Sequence, residues 1–208
     1  IEDASPTITN CIVSGNWAGI DSLDNYSCHG GGISCKGQAR PLIVDCLIST
    51  NHAYGLKGGG IYCYNSAAPT IRNCTIVGNS VYQDGGGISC KDDASPLIIG
   101  CTIAGNSGGS QGGGISIEHS FPTISYCIIS DNRAEFDGGI SCWNNAFPMI
   151  LDCTIARNRA TYGYDKYRSA GGIGMQMSSP LIANCLIWGN SSYRAAGGIL
   201  IRDSSFPT

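Results

Sequence analysis

A proline returns along this chain at positions 6, 41, 69, 96, 122, 148, 180 and 207, at spacings of 35, 28, 27, 26, 26, 32 and 27 residues. A period in this range is the mark of stacked supersecondary units, so the repeat limits the fold before composition does. Two residues after each proline comes Ile8, Ile43, Ile71, Ile98, Ile124, Ile150 or Ile182. Five after it comes Cys11, Cys46, Cys74, Cys101, Cys127, Cys153 or Cys185. Seven after it stands a β-branched residue, Val13, Ile48, Ile76, Ile103, Ile129, Ile155 or Ile187. Ten after it stands Asn16, Asn51, Asn79, Asn106, Asn132, Asn158 or Asn190. A segment of variable length follows, then a Gly-Gly pair and Ile33, Ile61, Ile88, Ile115, Ile140, Ile173 or Ile199.

Parity within the unit defines strands. The cysteine and the β-branched residue two places on point the same way, as do Ile33 and Cys35, Ile61 and Cys63, and Ile88 and Cys90. The Ile and Cys at offsets two and five differ in parity, so both face inward only if the chain bends between them. Asn10, Asp45, Asn73, Asp152 and Asn184 stand just before the Cys, and Asn and Asp tolerate such corners. Each unit is too one-sided to fold alone, and stacking buries its Ile and Cys faces. The expected fold is therefore all-β: a right-handed parallel β-helix, a solenoid of about seven rungs of three short strands, with interior Ile, Cys and Asn ladders. Residues 1–208 form one domain, and at about 4.8 Å per rung the rod is roughly 34 Å long. The Leu-rich pattern of a leucine-rich repeat is absent, and a propeller blade needs a longer repeat of antiparallel strands.

The Asn and Gly ladders read as backbone chemistry. Asn accepts a tight bend and its amide can bond to the next Asn in a stack, while Gly admits an approach that a Cβ blocks. In the slot of Cys35, Cys63, Cys90 and Cys142 other units carry Ile117, Met175 and Ile201, so the slot wants a mid-sized apolar group. In-register thiols have parallel Cβ vectors about 4.8 Å apart, too far and too parallel for an undistorted disulfide. No Cys-x-x-Cys pair occurs, so no structural zinc site is indicated. Cys28, in the long first loop, is the one thiol that reads as accessible.

Charged residues make up 13% of the chain and the net charge is −3. Without a Lys/Arg cluster this argues against a nucleic-acid or anionic-membrane partner. No run approaches the roughly 18 apolar residues of a membrane span. No signal peptide opens the chain, and IEDASPT reads as a cut-out rather than a natural start. Asn25, Asn73 and Asn190 match the glycosylation pattern, which arises easily in Asn- and Ser-rich repeats.

The unit resembles the broad pectate-lyase-like superfamily of β-helices, many of which cleave polysaccharides. That resemblance implies a general base with calcium-binding carboxylates, or a carboxylate pair, converging on one face. Asp45 and Asp152 share an offset but lie four rungs apart, near 19 Å. Asp131 and Arg157 share an offset on adjacent rungs and read as an exposed ion pair. Asp92 and Asp93 stand at a corner beside Lys91. His29 and His52 fall in loops and His119 at a corner, none with an evident acid or nucleophile. GGGI at 58–61 and 85–88, with IVSGN at 12–16 and IISDN at 128–132, is similar to the GGAI and FxxN repeats of chlamydial polymorphic outer-membrane proteins. Val or Ile replaces Phe, and the Cys ladder departs from that family. The resemblance implies an exported, adhesive or scaffolding role without catalysis or cofactor, at a cell surface or outside the cell.

The variable segment between Asn and the Gly pair is where binding by a solenoid concentrates. Five of these segments have five or six residues, while 17–29 has thirteen and 159–170 has twelve. This edge carries Trp17, Tyr26, Tyr54, Tyr82, Phe136, Tyr162, Tyr164, Tyr167 and Tyr193, with Asp165, Lys166 and Arg168. Such an edge suits a glycan or protein partner, or its rings simply shield the coil. Neither end carries a polar cap. The chain reads either as a segment of a longer rod or as a subunit that stacks end to end on itself into a fibre.

Overall fold

The computed structural model describes residues 1–19, 30–55, 57–161, 169–203 and 205–207. Every regular element among them is a strand, and the strands form four parallel sheets of seven strands each. The coil is a right-handed solenoid. One rung runs through Leu97–Ile99, Thr102–Ala104, Ser107–Gly108 and Ile115–Glu118, which belong to the first, second, third and fourth sheets in that order. Neighbouring rungs pair in register, so that Ile76 lies between Ile48 and Ile103.

The expected solenoid is present, but among the described residues each rung has four strands and not three. The additional strand follows the ladder Asn and is two residues long, as at Trp17–Ala18, His52–Ala53 and Ser80–Val81. It points only one side chain inward, such as the buried Ala53, Val81, Ala134 and Ala160. An element with one inward residue has no alternation to read in the sequence. His52, expected in a loop, therefore belongs to the third sheet.

The bend between the first and second sheets is a single residue in the left-handed region. It is Asn10, Asp45, Asn73, Asp152 or Asn184, with φ between 52° and 55°, and also Gly100 (61°) and Tyr126 (55°). The core is the stacked Ile and Cys of the first, second and fourth sheets, nearly all fully buried. Alongside runs a ladder of small residues, Ala39, Ala67, Ala94, Ser120, Ala146 and Ser178, buried at the corner between the fourth and first sheets.

The cysteines at the first bend do more than fill space. Each thiol donates to the carbonyl two residues back, as Cys74 Sγ to Arg72 O (3.3 Å), Cys127 Sγ to Ser125 O (3.2 Å) and Cys153 Sγ to Leu151 O (3.1 Å). A thiol thus combines apolar bulk with a weak donor aimed at a bend carbonyl. The eleven described cysteines are all free. Among them Cys11 is exposed and Cys185 half-buried, whereas Cys28 lies outside the described residues.

The Asn and Gly-Gly signatures are two sides of one contact. Asn79 Oδ1 accepts from both the backbone N (2.9 Å) and Nδ2 (3.0 Å) of Asn51, while Asn79 Nδ2 donates to Ile48 O (2.9 Å) and Asn106 Oδ1 (3.0 Å). The pattern repeats through Asn106, Asn132 and Asn158, so each buried amide uses its full bonding capacity. In every rung but the last, the second Gly of the pair lies against this amide. A Cβ at Gly60 would come within 2.6 Å of Gly87 O and 3.1 Å of Asn79 Nδ2.

Candidate functional site

Two parts of the outer surface carry chemistry. The first is the edge over the third sheet, where side chains at the first position of each short strand point outward: Trp17, His52, Ser80, Ser107, Arg133, Arg159 and Ser191. Trp17 is 71% exposed and meets His52 edge-on with ring centroids 6.0 Å apart. His52 meets Tyr54 at 6.1 Å, and Tyr54 stacks on Tyr82 at 6.3 Å. His52 Nδ1 shares a 2.7 Å hydrogen bond with Ser80 Oγ, which fixes the ring within the row. A groove lined by Asn16, Trp17, Thr50, His52 and Tyr54 opens beside these rings.

Farther along the same sheet Arg133 and Arg159 stand directly opposite each other on adjacent strands. Like charges in that position oppose pairing, so the pair is not there for stability. Shallow grooves flank it, one reaching Ser107, Gly109 and Glu135, the other reaching Ser192 and Tyr193. Tyr193 is exposed and Arg194 lies over its ring, 5.6 Å from the centroid. Of the expected edge residues, Trp17, Tyr54, Tyr82 and Tyr193 are on this surface. Phe136 is not: it is half-buried and lines a small cavity against the fourth sheet, because the short segment here turns straight back into Asp137 and the Gly pair. Tyr26, Tyr162, Tyr164, Tyr167 and Arg168 lie outside the described residues.

The second part is a buried polar seam on the outside of the fourth sheet, which the sequence reading did not single out. Tyr62, Ser89, Ser116 and Ser141 point away from the core, yet all are buried. They are covered by the residues that precede the Gly pairs, Lys57, Asp84, Gln111 and Asp137, which fold back over the sheet. Lys57 runs across three rungs, with Nζ 3.0 Å from Asp84 Oδ2, 2.7 Å from Glu118 Oε2 and 5.1 Å from the centre of the Trp143 ring. Lys91 adds a longer contact to Glu118 at 3.6 Å. Burial works against the Lys57 charge, but the pull of Asp84 and the bond to Glu118 outweigh it and hold its pKa above the ordinary lysine value. Burial lifts Asp84 above the usual carboxylate range despite Lys57.

Asp137 is the second buried acid of the seam. Its Oδ2 accepts the Ser141 hydroxyl at 2.7 Å and its Oδ1 the Ala170 N–H at 3.1 Å. Burial pushes its pKa up to about 6, against the lowering effect of those bonds and of Arg202. Gly174 takes the place that Ser89, Ser116 and Ser141 hold on their strands, because a Cβ there would collide with the Asp137 carboxylate. The seam was legible in one respect: Lys57, Asp84 and Gln111 share the position just ahead of a Gly-Gly-Gly run.

Of the acids weighed from sequence, Asp131 and Arg157 form the anticipated exposed pair, bidentate at 2.9 and 2.8 Å, with Arg157 also 5.5 Å from the centre of the Trp188 ring. Asp92, Asp93 and His119 are left-handed corner residues, with His119 Nδ1 3.6 Å from Asp93 Oδ1. Among the described residues no three His, Cys, Asp or Glu side chains converge as a metal site, and no helix is long and apolar enough to cross a membrane.

Four in-register parallel sheets, an interior amide ladder and a variable outer edge define a parallel β-helix solenoid. The family model described as the right-handed β-helix region matches residues 1–160 and again 87–208, together the entire chain, and the chain belongs to that family. No curated protein and no solved structure matches it.

Proposed function

We propose that the protein is a non-catalytic scaffold of a cell surface or an extracellular structure, and that the third-sheet edge is where it meets a glycan or protein partner. The observation that carries this reading is the row of rings formed by exposed Trp17, Tyr54 and Tyr82 with half-buried His52 between them, on the side of the coil where segment length varies. Aromatic faces supply contact area at low entropic cost, and rigid sheet positions hold them in line. Arg133 and Arg159, which form no ion pair among the described residues, add capacity for carboxylate or sulfate groups on an extended ligand. The buried seam supports the non-catalytic half of the reading: its cavity of about 30 Å³ has room for one water molecule and none for a sugar ring.

The test is binding of the native chain to a printed array of extracellular polysaccharides and matrix proteins. It is repeated with Trp17→Ala/Tyr54→Ala/Tyr82→Ala and with Arg133→Ala/Arg159→Ala. These side chains lie outside the core, so the variants should fold. Binding should fall at least tenfold in the aromatic variant. A ligand bound equally by all three proteins would place the functional surface elsewhere, and turnover of any arrayed polysaccharide would overturn the non-catalytic reading.

A further inference from the structure

The small, partly open cavity on the fourth sheet is lined by Gln111, Asp137, Ser141, Trp143, Gln176 and Arg202, drawn from four successive rungs. Two of the residues that line it carry a buried donor, Trp143 Nε1 and Arg202 Nε, with no partner among the described residues. Buried N–H groups without a partner are rare and costly, and two beside one cavity indicate a shared acceptor. Arg202 is fixed from its other side by Nη2, which donates to Gln176 Oε1 at 2.8 Å. Asp137 feels the Arg202 charge but makes no direct ion pair with it within 4.0 Å. Asp137 and Arg202 therefore line one small space without touching each other. Gly174 leaves room for the Asp137 carboxylate at the side of that space.

We infer that this cavity is a binding site for a single water molecule that joins Asp137 to Arg202. A water accepts two hydrogen bonds and donates two. Here it accepts from Trp143 Nε1 and Arg202 Nε and donates to Asp137 and to a glutamine side-chain oxygen of Gln111 or Gln176. The cavity volume of about 30 Å³ exceeds the ~10–15 Å³ needed for one water and excludes larger guests. A halide would satisfy the two donors but would sit against the Asp137 carboxylate, and a cation would leave both donors unmet. The charges facing Asp137 are Arg202, which favours its ionised form, and Asp84, which opposes it. The bridge ties the seventh rung to the fifth through side chains alone.

The test uses the native protein. In a proton–nitrogen NMR spectrum, with the Trp143 indole resonance identified by its loss in Trp143→Phe, the indole N–H should show a cross-peak to water with the sign of a long-lived bound molecule. Absence of that cross-peak overturns the site. A saturable shift of the same resonance on titration with bromide, absent with sodium phosphate at equal ionic strength, overturns water in favour of an anion. In Arg202→Met the Asp137 carboxyl carbon should titrate at a midpoint at least half a pH unit higher than in the native chain. An unmoved midpoint would show that the two charges are not joined.

Discussion

Among the described carboxylates, Asp137 is held by burial well above its ordinary pKa. Its folded-state pKa of about 6 lies above the unfolded value near 3.9, so the folded protein holds this proton more tightly than the unfolded chain. The carboxyl therefore costs stability at neutral pH, and that stability returns as pH falls through about 6 toward 4. The effect is worth up to about 3 kcal/mol at pH 7.5. Asp137→Asn keeps an oxygen for the Ala170 N–H and offers its amide to Ser141. The variant should be more stable than the native chain by ~1–3 kcal/mol at pH 7.5, and the advantage should vanish by about pH 4. Urea denaturation across that range measures it, and Asp84, present in both proteins, cancels in the difference. Parallel profiles for the two chains would show that Asp137 does not titrate in the fold. Little of this was legible in the sequence. Asp137 stands one place nearer its Ile than Lys57, Asp84 and Gln111 do to theirs, so alignment on the repeat does not bring the four together. Their common burial depends on how the segment before the glycines folds back over the sheet.

At the level of strands and corners the sequence was far more informative. Inward Ile, Cys and Asn recur at fixed offsets because each must stack on its own kind one rung away, and that requirement is written directly as a repeat. The two-residue third strand escaped, since one inward Ala or Val inside a variable segment makes no pattern. The two classes of glycine also look alike in the sequence and differ in space. Gly87 is closed in: a Cβ there would lie 2.6 Å from Gly114 O, 3.0 Å from Ile103 Cγ2 and 3.1 Å from Asn106 Nδ2. Gly105 has φ +62° and nothing within 4 Å of a Cβ, and at the same offset the chain places Thr50, Asp131 and Arg157 with φ of 51–57°. Gly87→Ala should therefore cost roughly 2–4 kcal/mol, since backbone atoms cannot move aside, whereas Gly105→Asn should stay within about 1 kcal/mol. Thermal unfolding of the two single variants separates these outcomes, and equal losses would remove the packing account of the paired glycines.

The whole molecule is a stack in which nearly every backbone hydrogen bond of the sheets joins one rung to the next, as Thr75 N to Cys46 O and Thr102 N to Cys74 O do. Side chains follow the same direction: the amide ladder, the thiols and the Lys57 seam all link rung to rung. A chain built this way meets a pull on its two ends as an unzipping load, with bonds broken a rung at a time and never all in shear. Each step frees the 26–35 residues of one repeat, or about 90–120 Å of extended chain. Single-molecule stretching should thus give a staircase of similar small rupture events at that interval, and one large event of full contour length would mean that the stack fails as a block. The steps should be highest over rungs two to five, where Lys57, Glu118 and Trp143 span several repeats at once. Such a rod yields gradually under tension and stays partly folded while it lengthens, the behaviour of a shock absorber.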